Sequence, residues 1–153
     1  IEWACAARQY DSTAKYANGH KYLRDSKGKY EVNYMCYSKE QCKYDSVMKL
    51  YLPKNKEELK ETKTNAPKYI DDGGFHTVYT QSYKANSYGL YCMAGNVSEM
   101  IVNYKTKLPE TKGGSWFSCD YYLEIDADDE YKNEINPSPL IGFRPVMSAL
   151  KTK

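Results

Sequence analysis

The chain has 153 residues, with 22 Lys and Arg against 20 Asp and Glu and a formal net charge of +2. That length suits one core and not two, the mean hydropathy of -0.80 goes with a soluble chain and no membrane span, and charges of both signs are interspersed, which leaves no basic footprint for nucleic acid. Tyrosine is the outlier, at 17 against 3 Phe and 2 Trp; its ring joins an apolar face to a polar tip and suits half-buried loops and binding surfaces.

The sequence opens at Ile1 with no charged and apolar leader, so any export signal is expected to lie outside these residues. In "EWACAARQY", residues 2–10, Trp3, Ala6, Ala7 and Tyr10 recur at helical spacing with no Gly or Pro, which predicts a helix end. Residues 11–28 are polar and turn-rich and predict a loop. "KYEVNYMCY", residues 29–37, alternates and is β-prone, predicting a short strand or extended segment. "PKNKEELKETKTNAP", residues 53–67, is laced with charge and has Leu59 as its single sizeable apolar residue, which predicts a solvated surface helix or an insertion.

Beyond it, "YIDDGGFHTVYTQSY" (69–83) places an Asp-Asp-Gly-Gly turn before an extended run. "GLYCMAGNVSEM" (89–100) has glycines and Asn96 where a chain turns sharply, followed by Val97, Met100 and Ile101 spaced like a short apolar helix face; a tight loop feeding a helix or strand is expected. "KGGSWFSCDYYL" (112–123) predicts an aromatic strand after Gly113 and Gly114. The acidic run 124–134 predicts a solvated loop, and "LIGFRPVM" (140–147) a closing strand at an edge or bulge because of Pro145. There is no internal repeat. Short strands among long loops with few helices predict an α+β domain poor in regular structure.

Five cysteines, Cys5, Cys36, Cys42, Cys92 and Cys119, include no C-x-x-C pair, which argues against a zinc site. They are either separate buried thiols or, in an oxidising compartment, a set in which Cys36 and Cys42 close a short loop. His20 and His76 neighbour no Cys or Ser in a recognisable catalytic motif.

Four blocks in order, "EWACAAR" (2–8), "NSYGLYCMAGNVSEM" (86–100), "GGSWF" (113–117) and "IGFRPVM" (141–147), resemble the successive signatures of the formylglycine-generating enzyme, or sulfatase-modifying factor, superfamily. The resemblance covers residues 1–153 as a single domain, comparable to the later two-thirds of a typical family domain, and implies a fold related to C-type lectins. In catalytic members a cysteine pair binds copper, at the third residue past the Ser of G-G-S and five residues further on. Counted from Ser115, those positions hold Ser118 and Leu123, and neither a hydroxyl nor an isobutyl group replaces the soft thiolates that Cu(I) requires. Cys119 comes one residue late, which on an extended strand points it to the other face. No three-histidine iron site of the kind found in other branches fits two histidines.

The same resemblance implies a Ca2+ site in the Gly-Leu-Tyr loop. Carried over, Gly95 and Val97 would offer carbonyls and Glu99 a carboxylate, but the Asp or Asn position is Cys92, a poor partner for a hard cation. The expectation is a degraded site in which Ca2+ is the one conceivable cofactor and the loop serves as scaffold. Trp3, Trp116 and Phe143 are expected in the core, and Arg8 and Arg144 as ion-pair or carbonyl clamps.

Runs matching Ser26–Tyr34, Asp71–Thr77, Tyr88–Glu99 and Gly113–Leu123 are similar to those of gliding-motility and type IX secretion lipoproteins. That likeness implies a non-catalytic assembly component of the bacterial cell envelope, periplasmic or outer-membrane associated, whose partners are other proteins. Its interface is expected on the Tyr-rich segments 30–51 and 120–131. Two alternatives stand beside it: a lectin-like ligand-binding protein using residues 120–136, and a divergent copper oxidase using Cys119.

Overall fold

Helix α1, Glu2–Arg8, begins on an acidic residue and ends on a basic one, both favourable to the helix dipole, and its alanines turn Ala7 into the core. The computed structural model describes residues 2–47, 50–55, 72–131 and 136–147. Gln9 and Tyr10, at φ 55 and 69, turn the chain out of the helix. This costly left-handed pair is held by the Gln9 side chain, which donates to the Asn18 carbonyl at 3.1 Å and accepts from the Ser87 N–H at 2.5 Å.

Residues 11–28 form the loop their composition predicts, with single bridges at Tyr16↔Glu124 and Arg24↔Tyr30. Residues 29–37 join no ladder: they have isolated bridges at Tyr30 and at Asn33↔Gly95, bend at Val32 and Tyr34, and take φ 62 at Cys36. The segment threads the middle of the molecule, and residues 32–36 are buried on both faces, which hides their alternation. Strands β1 (Cys42–Asp45) and β2 (Leu50–Pro53) pair antiparallel, Cys42 opposite Pro53. A second sheet has the order β4-β3-β5: β3 (Ser98–Val102) lies between antiparallel β4 (Pro109–Lys112) and parallel β5 (Ile141–Gly142). With α1 and two short 3-10 helices, these elements make the α+β class expected.

Several expectations are corrected. Of the helix or strand expected after the Gly95 turn, residues 98–102 form the strand, and the helix-face spacing does not hold: Met100 points out at 52% exposure while Ser98 and Glu99 are buried. The aromatic strand expected after Gly114 is a loop and a 3-10 helix, Asp120–Leu123. Gly113 and Gly114, at φ 95 and 67, coil the chain there, and the Asp120 N–H is drawn to the Tyr37 carbonyl at 3.0 Å. Only Ile141 and Gly142 of the closing run are paired, at the sheet edge. Phe143 lies beyond them at 75% exposure, so it is no core residue, while Trp3 and Trp116 are half-buried.

The acidic run is not solvated throughout. Ile125, Ala127, Asp129 and Tyr131 face inward and Asp126 and Asp128 outward, a period of two. The charged stretch 53–67 lies, beyond Asn55, outside the described residues.

Among the described residues two apolar clusters result. The larger gathers Ala7, Leu23, Tyr30, Val32, Tyr34, Met93, Leu123 and Ile125, among others; the smaller holds Met35, Cys42, Cys119 and Tyr122. Among the described residues no helix is long and apolar enough to cross a membrane.

Candidate functional site

The coil after β4 positions the residues that the sequence singles out. Ser115 and Ser118 are both fully buried. The Ser115 N–H donates to Ser118 Oγ at 2.9 Å, the two hydroxyls lie 3.2 Å apart, and Ser115 Oγ meets the Tyr131 hydroxyl at 3.0 Å. Ser118 donates its proton to Glu130 Oε1. Burial, with the Glu130 carboxylate beside it, pushes the Tyr131 phenol well above its ordinary range, so it stays a neutral hydroxyl. The result is a closed chain of hydroxyls ending on a carboxylate.

Leu123 does not join that chain. It is fully buried in the larger apolar cluster, and a Cβ added to Gly114 would come within 2.9 Å of its Cδ1. Cys119 turns the other way, into the smaller cluster against Cys42. The one-residue offset therefore sends Ser118 and Cys119 to opposite sides, although the backbone is the entry to a 3-10 helix rather than a strand.

Around Glu99 the structure builds a clamp. Its carboxylate is buried at the start of β3 and accepts from Trp3 Nε1 at 2.8 Å on one oxygen, and from Arg144 Nε and Nη2 at 2.9 and 2.5 Å on the other. Arg144 Nη2 also donates to the Tyr91 carbonyl at 2.7 Å. The carboxylate that would face a cation thus faces a guanidinium and an indole, which tie α1, β3 and the segment after β5 together. Arg8 behaves similarly, bonding Asp126 at 2.5 Å and the Ala14 carbonyl at 3.3 Å.

Gly95 and Asn96, at φ 68 and 67, form the turn before β3. The Gly95 N–H donates to the Gly113 carbonyl at 2.8 Å and the Asn96 N–H to the Asn33 carbonyl at 2.8 Å. The Asn96 side-chain oxygen accepts from the Val78 N–H at 2.8 Å and from Asn33 Nδ2 at 3.2 Å. Val97 packs on Gly142, where an added Cβ would lie 2.7 Å from its Cγ2. The Cys92 thiol, at the position where a carboxylate or amide would serve a cation, donates to the Thr80 carbonyl at 3.2 Å, and burial raises its pKa. Among the described residues no group of three or more His, Cys, Asp or Glu side chains is placed to hold a metal ion.

Three carboxylates central to this region were not singled out from the sequence. Asp129 Oδ2 accepts from Ser98 Oγ at 2.9 Å and from the Gly114 N–H at 3.1 Å, and its Oδ1 from the Tyr131 N–H at 3.0 Å. Asp72 accepts from the Tyr34 N–H at 2.6 Å and the Gly74 N–H at 3.0 Å. Glu130 closes the hydroxyl chain. The signal for Asp129 was the inward phase of I-x-A-x-D-x-Y, masked by the surrounding charge. For Asp72 the Asp-Asp-Gly-Gly turn signalled its bond to the Gly74 N–H but not the one to Tyr34, and for Glu130 the pattern held none.

In segments 30–51 and 120–131 the tyrosines whose side chains are described differ in exposure. Tyr30, Tyr34, Tyr122 and Tyr131 are buried and Tyr37 and Tyr121 half-buried, leaving Tyr44 exposed. A cleft of about 410 Å3 opens beside Tyr131, lined also by Met100, Thr111, Pro137, Ile141 and Phe143 among others.

Residues 1–149 match the sequence model of the FGE-sulfatase family, described as the sulfatase-modifying factor enzyme 1-like domain. No curated protein and no solved structure matches the chain.

Proposed function

Because the chain belongs to the sulfatase-modifying factor enzyme 1-like family, we propose that it is a non-catalytic member, a structural component of a cell-envelope assembly on the lectin-related fold of that superfamily. The observation that carries this reading is the fate of the two copper positions. Ser118 is committed to Glu130 and Ser115, and Leu123 to the apolar core. Neither offers a soft ligand, and together they hold the loop closed where an oxidase needs an open metal.

Glu99, Gly95 and Val97 act in this reading as frame rather than as a Ca2+ cage. The envelope setting, with its gliding-motility or type IX secretion flavour, rests on the motif runs alone. Three experiments test the proposal. Titration with Cu(I) under anaerobic conditions is expected to show no stoichiometric uptake, and incubation with a cysteine-containing sulfatase peptide no formylglycine. Mild extraction followed by size separation and mass spectrometry is expected to find the chain in a complex with defined stoichiometry. A monodisperse monomer would turn the assignment toward ligand binding. The cleft beside Tyr131 and Phe143 favours that second reading, since it is concave, mostly apolar and rimmed by polar groups.

A further inference from the structure

Cys42 opens β1 and Cys119 stands just before the 3-10 helix of Asp120–Leu123, far apart in the chain. In space they share the smaller core cluster with Met35 and Tyr122, and both are buried. Backbone hydrogen bonds hold the approach: Met35 N–H to the Ser118 carbonyl at 3.0 Å and Asp120 N–H to the Tyr37 carbonyl at 3.0 Å run residues 35–37 alongside 118–120. The 3-10 turn Lys39–Gln41, closed by Gln41 N–H to the Ser38 carbonyl at 3.0 Å, then leads directly into Cys42. Within that cluster the Cys42 side chain is the strongest influence on the Cys119 thiol.

Cys36, the partner for Cys42 suggested by nearness in sequence, belongs to the other cluster and donates its thiol proton to the Tyr34 carbonyl at 3.5 Å. Cys5 is exposed, and Cys92 bonds Thr80.

We propose that Cys42 and Cys119 are a disulfide site, oxidised as the chain folds, which fastens the β1–β2 hairpin to the loop carrying Ser115 and Ser118. The step is thiol–disulfide exchange with a small-molecule or protein disulfide as oxidant. One protein thiolate attacks the oxidant's S–S bond, releasing one oxidant thiol and leaving a mixed disulfide. The second protein thiolate displaces the remaining oxidant thiol. Two protein thiols lose two protons and two electrons, and one oxidant disulfide becomes two thiols.

Contact with Cys42 and burial push the Cys119 thiol far above its ordinary range, so the folded chain presents almost no thiolate to an external reagent. The bond therefore forms before the cluster closes, and the same burial later shields it from reductants. A cystine here also removes Cys119 as a copper ligand, a consequence independent of the envelope assignment.

The test uses the whole chain with its native cysteines, reduced and unfolded, then refolded in mixed glutathione and glutathione disulfide. Remaining thiols are alkylated, and intact mass and peptide mapping follow. The expected product lacks two hydrogens, carries label on Cys5, Cys36 and Cys92, and yields one cross-linked peptide joining Cys42 to Cys119. Its melting temperature exceeds that of the reduced chain; Cys42→Ala abolishes that difference and Cys36→Ala keeps it. Label on all five cysteines after refolding, or a cystine between Cys36 and Cys42, overturns the proposal. Because the mapping is done on the unaltered chain, the pairing is read out even where a variant fails to fold.

Discussion

Arg144 clamps Glu99 through two guanidinium nitrogens on one carboxylate oxygen, at 2.9 and 2.5 Å, while Trp3 holds the other oxygen at 2.8 Å. Glu99 is nearly all buried and Arg144 keeps 29% of its side chain in solvent. Glu99→Gln leaves the guanidinium half-buried against a neutral amide. Breaking a fully buried pair costs about 3–5 kcal/mol, and the exposure of Arg144 lowers the expected loss to about 2 kcal/mol. Urea denaturation of the variant checks it, and a change within the error of the midpoint would mean that the clamp is dispensable.

The same geometry sets the response to Ca2+. A cation would have to displace a guanidinium and an indole from Glu99 and take a thiol at Cys92. Millimolar Ca2+ is therefore expected to leave the melting temperature unchanged. A ligand present at a hundred times its dissociation constant would add about 2.7 kcal/mol, a rise easily seen by calorimetry. Such a rise, lost in Glu99→Gln, would restore the cation site.

Asp129 bonds Ser98, Gly114 and Tyr131 from inside the core. Asp129→Ala strands a buried hydroxyl and two backbone N–H groups, and each unsatisfied group costs about 1–3 kcal/mol. The expected loss is about 3 kcal/mol or more, against a change within about 0.5 kcal/mol for the exposed neighbour Asp128→Ala. Chemical denaturation of the two side by side is the measurement; equal effects would contradict the inward phase of this run.

The sequence's legibility follows the range of the interactions. Helix α1 was readable because its spacing and end charges are local, and the turn at Gly95 and Asn96 because glycine and asparagine tolerate positive φ. The 3-10 helix at Asp120–Leu123 was not, since the aromatic run reads as a strand while its first residue, Asp120, is bonded to Tyr37, distant in the chain. Alternation failed at 29–37, where a central segment buries both faces, and charge misled at Asp129, whose partners lie in β3 and the Gly-Gly coil. At the site, Ser118 and Leu123 were legible as departures from a motif, but Glu130 and Tyr131, which complete the hydroxyl chain, are defined by tertiary contact alone.

Two surface aspartates contribute to the response to acid. The Arg8 hydrogen bond holds the Asp126 carboxyl below its ordinary value, and the Thr13 hydroxyl and N–H do the same for Asp11. A folded pKa below the unfolded one means stabilisation that is complete above the unfolded value, about 4, and lost as pH falls through the lower folded value. Both groups are open to solvent, so each contribution is small. Urea midpoints are expected to decline below about pH 4, with a shallower decline in Asp11→Asn and Asp126→Asn. A wild-type slope retained by both variants would assign the acid response to other carboxylates.

Gly95 stands against backbone that leaves no room for a side chain. A Cβ there would lie 2.1 Å from the Asn33 backbone carbonyl oxygen, in the segment that threads the core, and the residue's φ is 68. Backbone cannot swing aside as a side-chain tip can, so Gly95→Ala must push residues 33 and 95 apart. That would break the Asn96 N–H bond to Asn33 and loosen the Gly95 N–H bond to Gly113. The expected cost is about 3 kcal/mol or more, the sum of steric displacement and left-handed strain. Gly28 has a similar φ of 79 but open space around its Cβ position, so Gly28→Ala isolates the strain alone, about 1 kcal/mol. Thermal unfolding of the two variants separates them. Equal losses would show that conformation, and not contact with Asn33, is what reserves position 95 for glycine.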